Sequence, residues 1–328
     1  MMRLMARGAV LVTALVLLFA WSGSAAARRA LIPLKVRTAP FLSFSVLYIG
    51  KAEGHFEREG LDVELVEMTG TSPLVPALVQ GEIDVLPAAL SPGLLNAIAR
   101  GARIRSVASL TQILPASTCS YIGLLASPSL VKSGALQQPA TLGGRRMNGS
   151  RSFPAAFFAD TALTVAGVSP SALELVEVPD QVAGEALKAG RLDLAVLAEP
   201  WVSRVVASGD GVMWKRIEQV SPGLQFSVIF YGPRLLDRDP ELGRRFMRGY
   251  LAAVRQYNRG KTDRNVAILA QATGADAASV RAMCWPDVNG DGTVMTRSVL
   301  EFQSWAMKNK LVDKPLTAEQ VHDGRFVQ

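Results

Sequence analysis

The chain has 328 residues, 49% hydrophobic and 19% charged, with a formal net charge of +7. That balance excludes intrinsic disorder and fits about two domains at ~150 residues each. Basic residues are scattered and aromatics are few, so the excess charge makes no nucleic-acid footprint.

Residues 1–27 read as a signal peptide. Arg3 and Arg7 form a positive n-region, Ala9 to Ala20 is apolar, and Ser22-Gly23-Ser24-Ala25-Ala26-Ala27 supplies small residues for cleavage. The apolar run is shorter than the roughly 20 residues of a spanning helix. No Cys lies near the cleavage zone, which excludes a lipoprotein-type lipid anchor. The mature protein is expected to be exported, periplasmic and soluble, and losing Arg3 and Arg7 takes its charge from +7 to +5.

Leu31 to Val36 reads as the first strand, with Arg37-Thr38-Ala39-Pro40 as its exit. Phe41 to Phe56 reads as a helix with Leu47, Tyr48 and Ala52 on one face, ending between Gly54 and Gly60. Leu61 to Val66 alternates apolar and acidic, as a half-solvated strand does. After the polar loop Thr69-Gly70-Thr71-Ser72, Pro73 opens a helix that turns Leu74, Leu78 and Val79 to the core. A Gly turn at Gly81 leads to a short strand, Ile83 to Leu86, that ends in the small residues Ala88, Ala89 and Ser91. A helix from Pro92 to Ala99, a strand from Arg105 to Leu110 and a strand from Tyr121 to Leu125 follow. Asn148 to Ser152 is a loop before a helix from Pro154. Phe226 to Phe230 is β-rich, and residues 240–328 are helical in pieces, most clearly Glu241 to Arg259.

The chain repeats itself. Gly81 and Asp84 in Leu-Val-Gln-Gly-Glu-Ile-Asp-Val match Gly190 and Asp193 in Leu-Lys-Ala-Gly-Arg-Leu-Asp-Leu. Upstream, Glu64 to Met68 matches Glu174 to Val178 at almost the same offset. Two similar α/β domains are expected, with a ligand between them outside the carboxyl ends of the strands. The expected division is 31–118 plus 227–328 for lobe 1 and 119–226 for lobe 2, joined by two hinge crossovers.

Ala52 to Val63 carries Gly54-x-Phe56-x-x-x-Gly60-Leu61-x-Val63. This resembles the signature of periplasmic solute-binding proteins of the sulfonate, taurine, nitrate and thiamine-pyrimidine-precursor type. Leu78 to Val85, Ala198-Glu199-Pro200-Trp201 and Phe302-Gln303-Ser304-Trp305 match further parts of the pattern. The likeness covers essentially the whole mature chain. It implies a two-domain type II periplasmic binding fold that delivers a captured solute to the permease of an ABC transporter. No cofactor and no nucleic-acid partner is implied, and a monomer is expected.

Two loops follow strands and open helices: the one holding Thr69, Thr71 and Ser72, and the one holding Ser150, Arg151 and Ser152. Such helix starts offer free N–H groups and partial positive charge. The hydroxyls add donors, and Arg151 adds a fork for a carboxylate or sulfonate. A plain N-cap accounts for the serines equally well. Phe41, beside Pro40, is placed to stack on a ligand, whereas Phe44 reads as core. Ala89 and Ser91 complete the set on the repeat strand. Glu199 suits an ammonium or N–H and Trp201 a cleft wall, although Glu-Pro-aromatic recurs in the family whatever the ligand, which leaves a structural role open.

Cys119 and Cys284 could bond in an oxidising compartment. Spacing alone does not show whether they come within reach, and the pair reads first as two buried small apolar residues. His55 and His322 stand far apart with no Cys beside them, so no metal cluster is expected. Asp287-Val288-Asn289-Gly290-Asp291-Gly292 resembles the start of a calcium loop. Its twelfth position is Ser298 rather than Glu, and it reads as a polar turn. No Gly-x-Ser-x-Gly elbow and no phosphate-cradling motif is present, which argues against an enzyme. The eukaryotic branch that makes the thiamine pyrimidine depends on a His and a Cys-rich iron segment, both absent here. The expected ligand is a small polar acid, sulfonate- or carboxylate-like. The alternatives are a neutral heterocycle such as a pyrimidine thiamine precursor, or an exported sensor or enzyme on the same fold.

Overall fold

The computed structural model describes residues 30–68, 70, 72–114, 117, 119–149 and 155–328. The signal-peptide reading of residues 1–27 and the candidates Thr69, Thr71, Ser150, Arg151 and Ser152 lie outside the described residues. Among the described residues, no helix is long and apolar enough to cross a membrane.

Among the described residues, ten strands form two five-stranded sheets. The first uses β1 (Ile32–Thr38), β2 (Leu61–Glu67), β3 (Val85–Ala89), β4 (Arg105–Gln112) and β10 (Gln225–Tyr231), in the order β2-β1-β3-β10-β4. The second uses β5 (Ile122–Ala126), β6 (Arg146–Asn148), β7 (Glu174–Val176), β8 (Leu194–Ala198) and β9 (Val212–Arg216), in the order β7-β6-β8-β5-β9. The sheets have one plan. β1, β2 and β3 run parallel, as do β6, β7 and β8. The fourth strand of each order, β10 or β5, runs antiparallel to both its neighbours. The chain therefore passes from the first lobe to the second between β4 and β5 and returns between β9 and β10.

Eight helices matter for the site: α1 (Ser45–Ala52), α2 (Leu74–Gln80), α3 (Pro92–Ala99), α4 (Ala156–Val165), α5 (Asp180–Lys188), α6 (Trp201–Ala207), α7 (Pro240–Tyr257) and α8 (Thr296–Lys308). The long helix α7 shows why such segments fold. Asp239 caps it by accepting the Leu242 N–H, and Pro240 stands at its first position. Leu242, Phe246, Tyr250, Val254 and Tyr257 recur at three- and four-residue spacing and are all buried. Phe246 stacks on Phe56 with centroids 5.1 Å apart, which binds α7 to the front of the chain. Lobe 1 thus has one core under α1 and α7, and a second on the opposite face around Leu78, Leu86, Leu94 and Phe302.

Several local expectations need correction. The helix expected over Phe41 to Phe56 is a 3-10 turn at Leu42–Phe44, then α1, then a short helix at His55–Arg58. Gly54, at φ 66°, interrupts it because the left-handed region suits glycine. The repeat strand starts at Val85 rather than Ile83 and runs to Ala89. Val79 is 41% exposed while Leu74 and Leu78 are buried, so α2 turns a narrower face inward. Asn148 ends a three-residue strand, β6. Cys119 and Cys284 are not separate apolar residues: they form a disulfide across 165 positions of sequence.

Candidate functional site

The lobes touch where β1 and β8 end. The Leu42 N–H, just past β1, donates to the Glu199 carbonyl, just past β8, at 3.2 Å. On another side α4 of lobe 2 meets α8 of lobe 1. Phe157 packs edge-on against Phe302 at 5.7 Å and against Trp305 at 5.5 Å. The Trp305 indole N–H donates to the Asp160 carboxylate at 3.1 Å.

The described candidates fall as follows. Pro40 and Phe41 form the turn leaving β1, both partly buried, with Phe41 packed on the lobe 1 core. Ser72 is exposed in the turn before α2. Ala89 ends β3 opposite Ser227 of β10. Ser91 is buried, and its hydroxyl caps α3 by accepting the Leu94 N–H. Each of these stands at the carboxyl edge of sheet 1 or in the turn that follows a strand.

Glu199 is 2% exposed, and three donors hold its carboxylate: the Ser203 hydroxyl at 2.6 Å, the Ser203 N–H at 3.0 Å and the Cys284 N–H at 3.1 Å. Burial raises its pKa, and those donors partly offset the shift. Glu199 therefore ties lobe 2 to the disulfide-bearing segment of lobe 1. Trp201 opens α6 beside it, with the Arg204 guanidinium 4.7 Å from its ring centre. Its indole N–H is buried and has no partner among the described residues.

Sequence reasoning passed over three features. Arg37, read as part of a strand exit, is a buried residue of β1 at 9% exposure. Its Nε and Nη2 donate to the Met68 carbonyl at 3.1 and 2.9 Å, and its Nη1 donates to the Pro87 carbonyl at 3.1 Å. Burial lowers its pKa to about 10, so it stays charged at neutral pH. Lys35, two residues earlier in the same alternation, is exposed, so no sequence signal set Arg37 apart. Asp180, first residue of α5 beyond β7, has a carboxyl that burial raises to about 7. The third feature is the Phe157–Trp305 contact, with partners too far apart in sequence to suggest one another.

Asn289 and Asp291 cap a turn at Gly292, so the oxygens of that motif serve backbone N–H groups. A cavity of about 180 Å³, lined by Tyr121, Glu218, Trp285 and Asp287, lies beside the disulfide at the crossover rather than between the strand ends.

Comparison with known proteins gives three findings. The profile of a family described as NMT1/THI5 like matches residues 42–257. No curated protein sequence matches the chain. Solved structures match over most of their length. A ligand-binding component of an ABC-type import system from Staphylococcus aureus, with zinc bound, superposes with a TM-score of 0.76 at 15% identity, covering 90% of this chain and 98% of that one. The alkanesulfonate-binding protein SsuA of Xanthomonas axonopodis pv. citri, bound to MOPS, gives 0.70 at 21%, covering 90% and 99%. The desulfurization enzyme DSZB, in complex with biphenyl-2-sulfinic acid, gives 0.63 at 16%, covering 90% and 97%. At these identities the likeness is one of fold.

Proposed function

Because the chain belongs to the NMT1/THI5-like family, we propose that it is the periplasmic solute-binding component of an ABC-type importer. It captures a small polar organic acid, sulfonate- or carboxylate-like, by closing two lobes about a hinge, and presents it to a permease. We assign lobe 1 to residues 31–118 plus 227–328 and lobe 2 to 119–226, in a monomer exported by its signal peptide. The observation that carries this reading is the pair of like sheets joined by two crossovers, with the exits of β1 and β8 touching at Leu42 and Glu199. Two fold relatives that hold a sulfonate and a sulfinic acid support the acidic class. One fold relative is an enzyme. We favour binding over turnover because both cysteines of this chain are in the disulfide, leaving it no free thiol nucleophile.

The test is native mass spectrometry of protein purified without refolding, followed by X-ray scattering with and without the captured compound. A small acid carried in unchanged form, with contraction on binding, is the expected result. Chemical conversion of the compound, or an unchanged scattering profile at saturation, defeats the reading.

A further inference from the structure

Among the described residues, Arg37 is a buried cation without an anion: the bonds its guanidinium makes there go to backbone carbonyls, and its carbon lies 4.7 Å from the Phe44 ring centre. Among the described residues no carboxylate pairs with it, and one N–H on each terminal nitrogen is left over. A buried charge is costly unless something of opposite sign meets it. Carbonyl dipoles reduce that cost without neutralising the charge. Its neighbours fix its place: Met68 lies just past β2, and Phe44 lies in the turn just past β1. With Pro87 of β3 as its third partner, the guanidinium lies near the carboxyl end of β1, the end from which Leu42 reaches Glu199 of lobe 2.

We propose that Arg37 is the residue that makes the cleft select an anionic solute over a neutral one of the same shape. The assignment rests on the acidic-solute reading above. A purely structural Arg37, bracing the exits of β1 and β2, would lower affinity for both kinds of solute alike. A selecting charge would lower it for the anion alone.

Wild type, Arg37→Met and Arg37→Lys are titrated calorimetrically with nitrate, sulfate, a straight-chain alkanesulfonate, the alkanecarboxylate and the neutral sulfone of matching length. Arg37→Met is expected to weaken the preferred anion about tenfold or more, leave the sulfone within about twofold, and be largely rescued by Lys. Equal losses for anion and sulfone, or an unchanged anion affinity, overturn the assignment while the acidic reading stands. Should Arg37→Met not fold, Arg37→Gln, which keeps N–H donors for the carbonyls, takes its place in the same comparison. A wild type that binds the sulfone as tightly as the sulfonate, or takes no anion of the panel, overturns both.

Discussion

Asp84 and Asp193 hold one position in two sheets. Asp84 accepts the Lys35 N–H of β1 at 2.8 Å and returns its own N–H to the Lys35 carbonyl at 2.8 Å. Asp193 makes the same pair with Arg146 of β6, at 2.9 and 2.8 Å. Each follows a glycine in the left-handed region, Gly81 at φ 78° and Gly190 at φ 65°. Each carboxylate also meets arginine: Arg234 at 2.8 Å for Asp84, and Arg145 at 3.4 Å for Asp193. Replacing either Asp with Ala strands a backbone N–H at a parallel-strand junction. Asp84→Ala should cost about 2–3 kcal/mol and Asp193→Ala about 1–2, since Asp193 and its arginines are more exposed. Urea unfolding measures both, and losses below about 0.5 kcal/mol would deny the repeat this bracing role.

The disulfide closes a loop across 165 positions and adds a third covalent link between the lobes. By loop entropy it should stabilise the fold by about 4–5 kcal/mol. It also positions the Cys284 N–H that Glu199 accepts. Cys119→Ser with Cys284→Ser, and wild type under reductant, should unfold at clearly lower urea concentration. Coincident transitions with the oxidised protein would refute this.

Trp305 bridges the lobes by ring contact and by its N–H to Asp160. Each aromatic pair contributes about 0.5–1.5 kcal/mol beyond area burial. Without ligand, Trp305→Ala should populate a more open form and raise the radius of gyration, while Trp305→Phe should do so less. Equal scattering for Ala and wild type would remove the contact from the closing energetics.

Asp180 has a folded pKa raised from 3.8 to about 7 by burial. The folded state then binds more protons than the unfolded state between those values, so this group subtracts stability as pH rises through the window. Asp180→Asn should match wild type near pH 4 and exceed it by roughly 2 kcal/mol at pH 8, a figure reduced for the carboxyl's partial exposure. A pH-independent difference between the two proteins would contradict the assignment.

The repeat was legible because its signals are local: a left-handed glycine, a strand-bracing Asp and apolar alternation all lie within a few residues. The two-lobe plan followed from that pattern. The limits were physical too. β6 is three residues long and begins at Arg146, so no apolar run announces it. The Cys119–Cys284 bond and the contact of Phe157 with Trp305 join residues more than a hundred positions apart, which periodicity cannot pair. Arg37 was read as the start of the exit Arg37-Thr38-Ala39-Pro40, whereas it stays in β1 and is met by the Met68 carbonyl just past β2 and the Pro87 carbonyl of β3.

The interleaved strands set an order of assembly as the chain emerges N-terminus first. Lobe 2 draws its sheet from one unbroken stretch, β5 to β9, and can close as soon as that stretch has emerged. Lobe 1 cannot. β10 lies between β3 and β4, so those strands have no common partner until residue 225 is made, and α7 follows later still. The N-terminal half thus waits, with the inner edge of β3 unpaired, for a strand synthesised more than a hundred residues afterwards. A nascent chain stalled before that point would present an open sheet edge, the kind of surface that holdase chaperones cover.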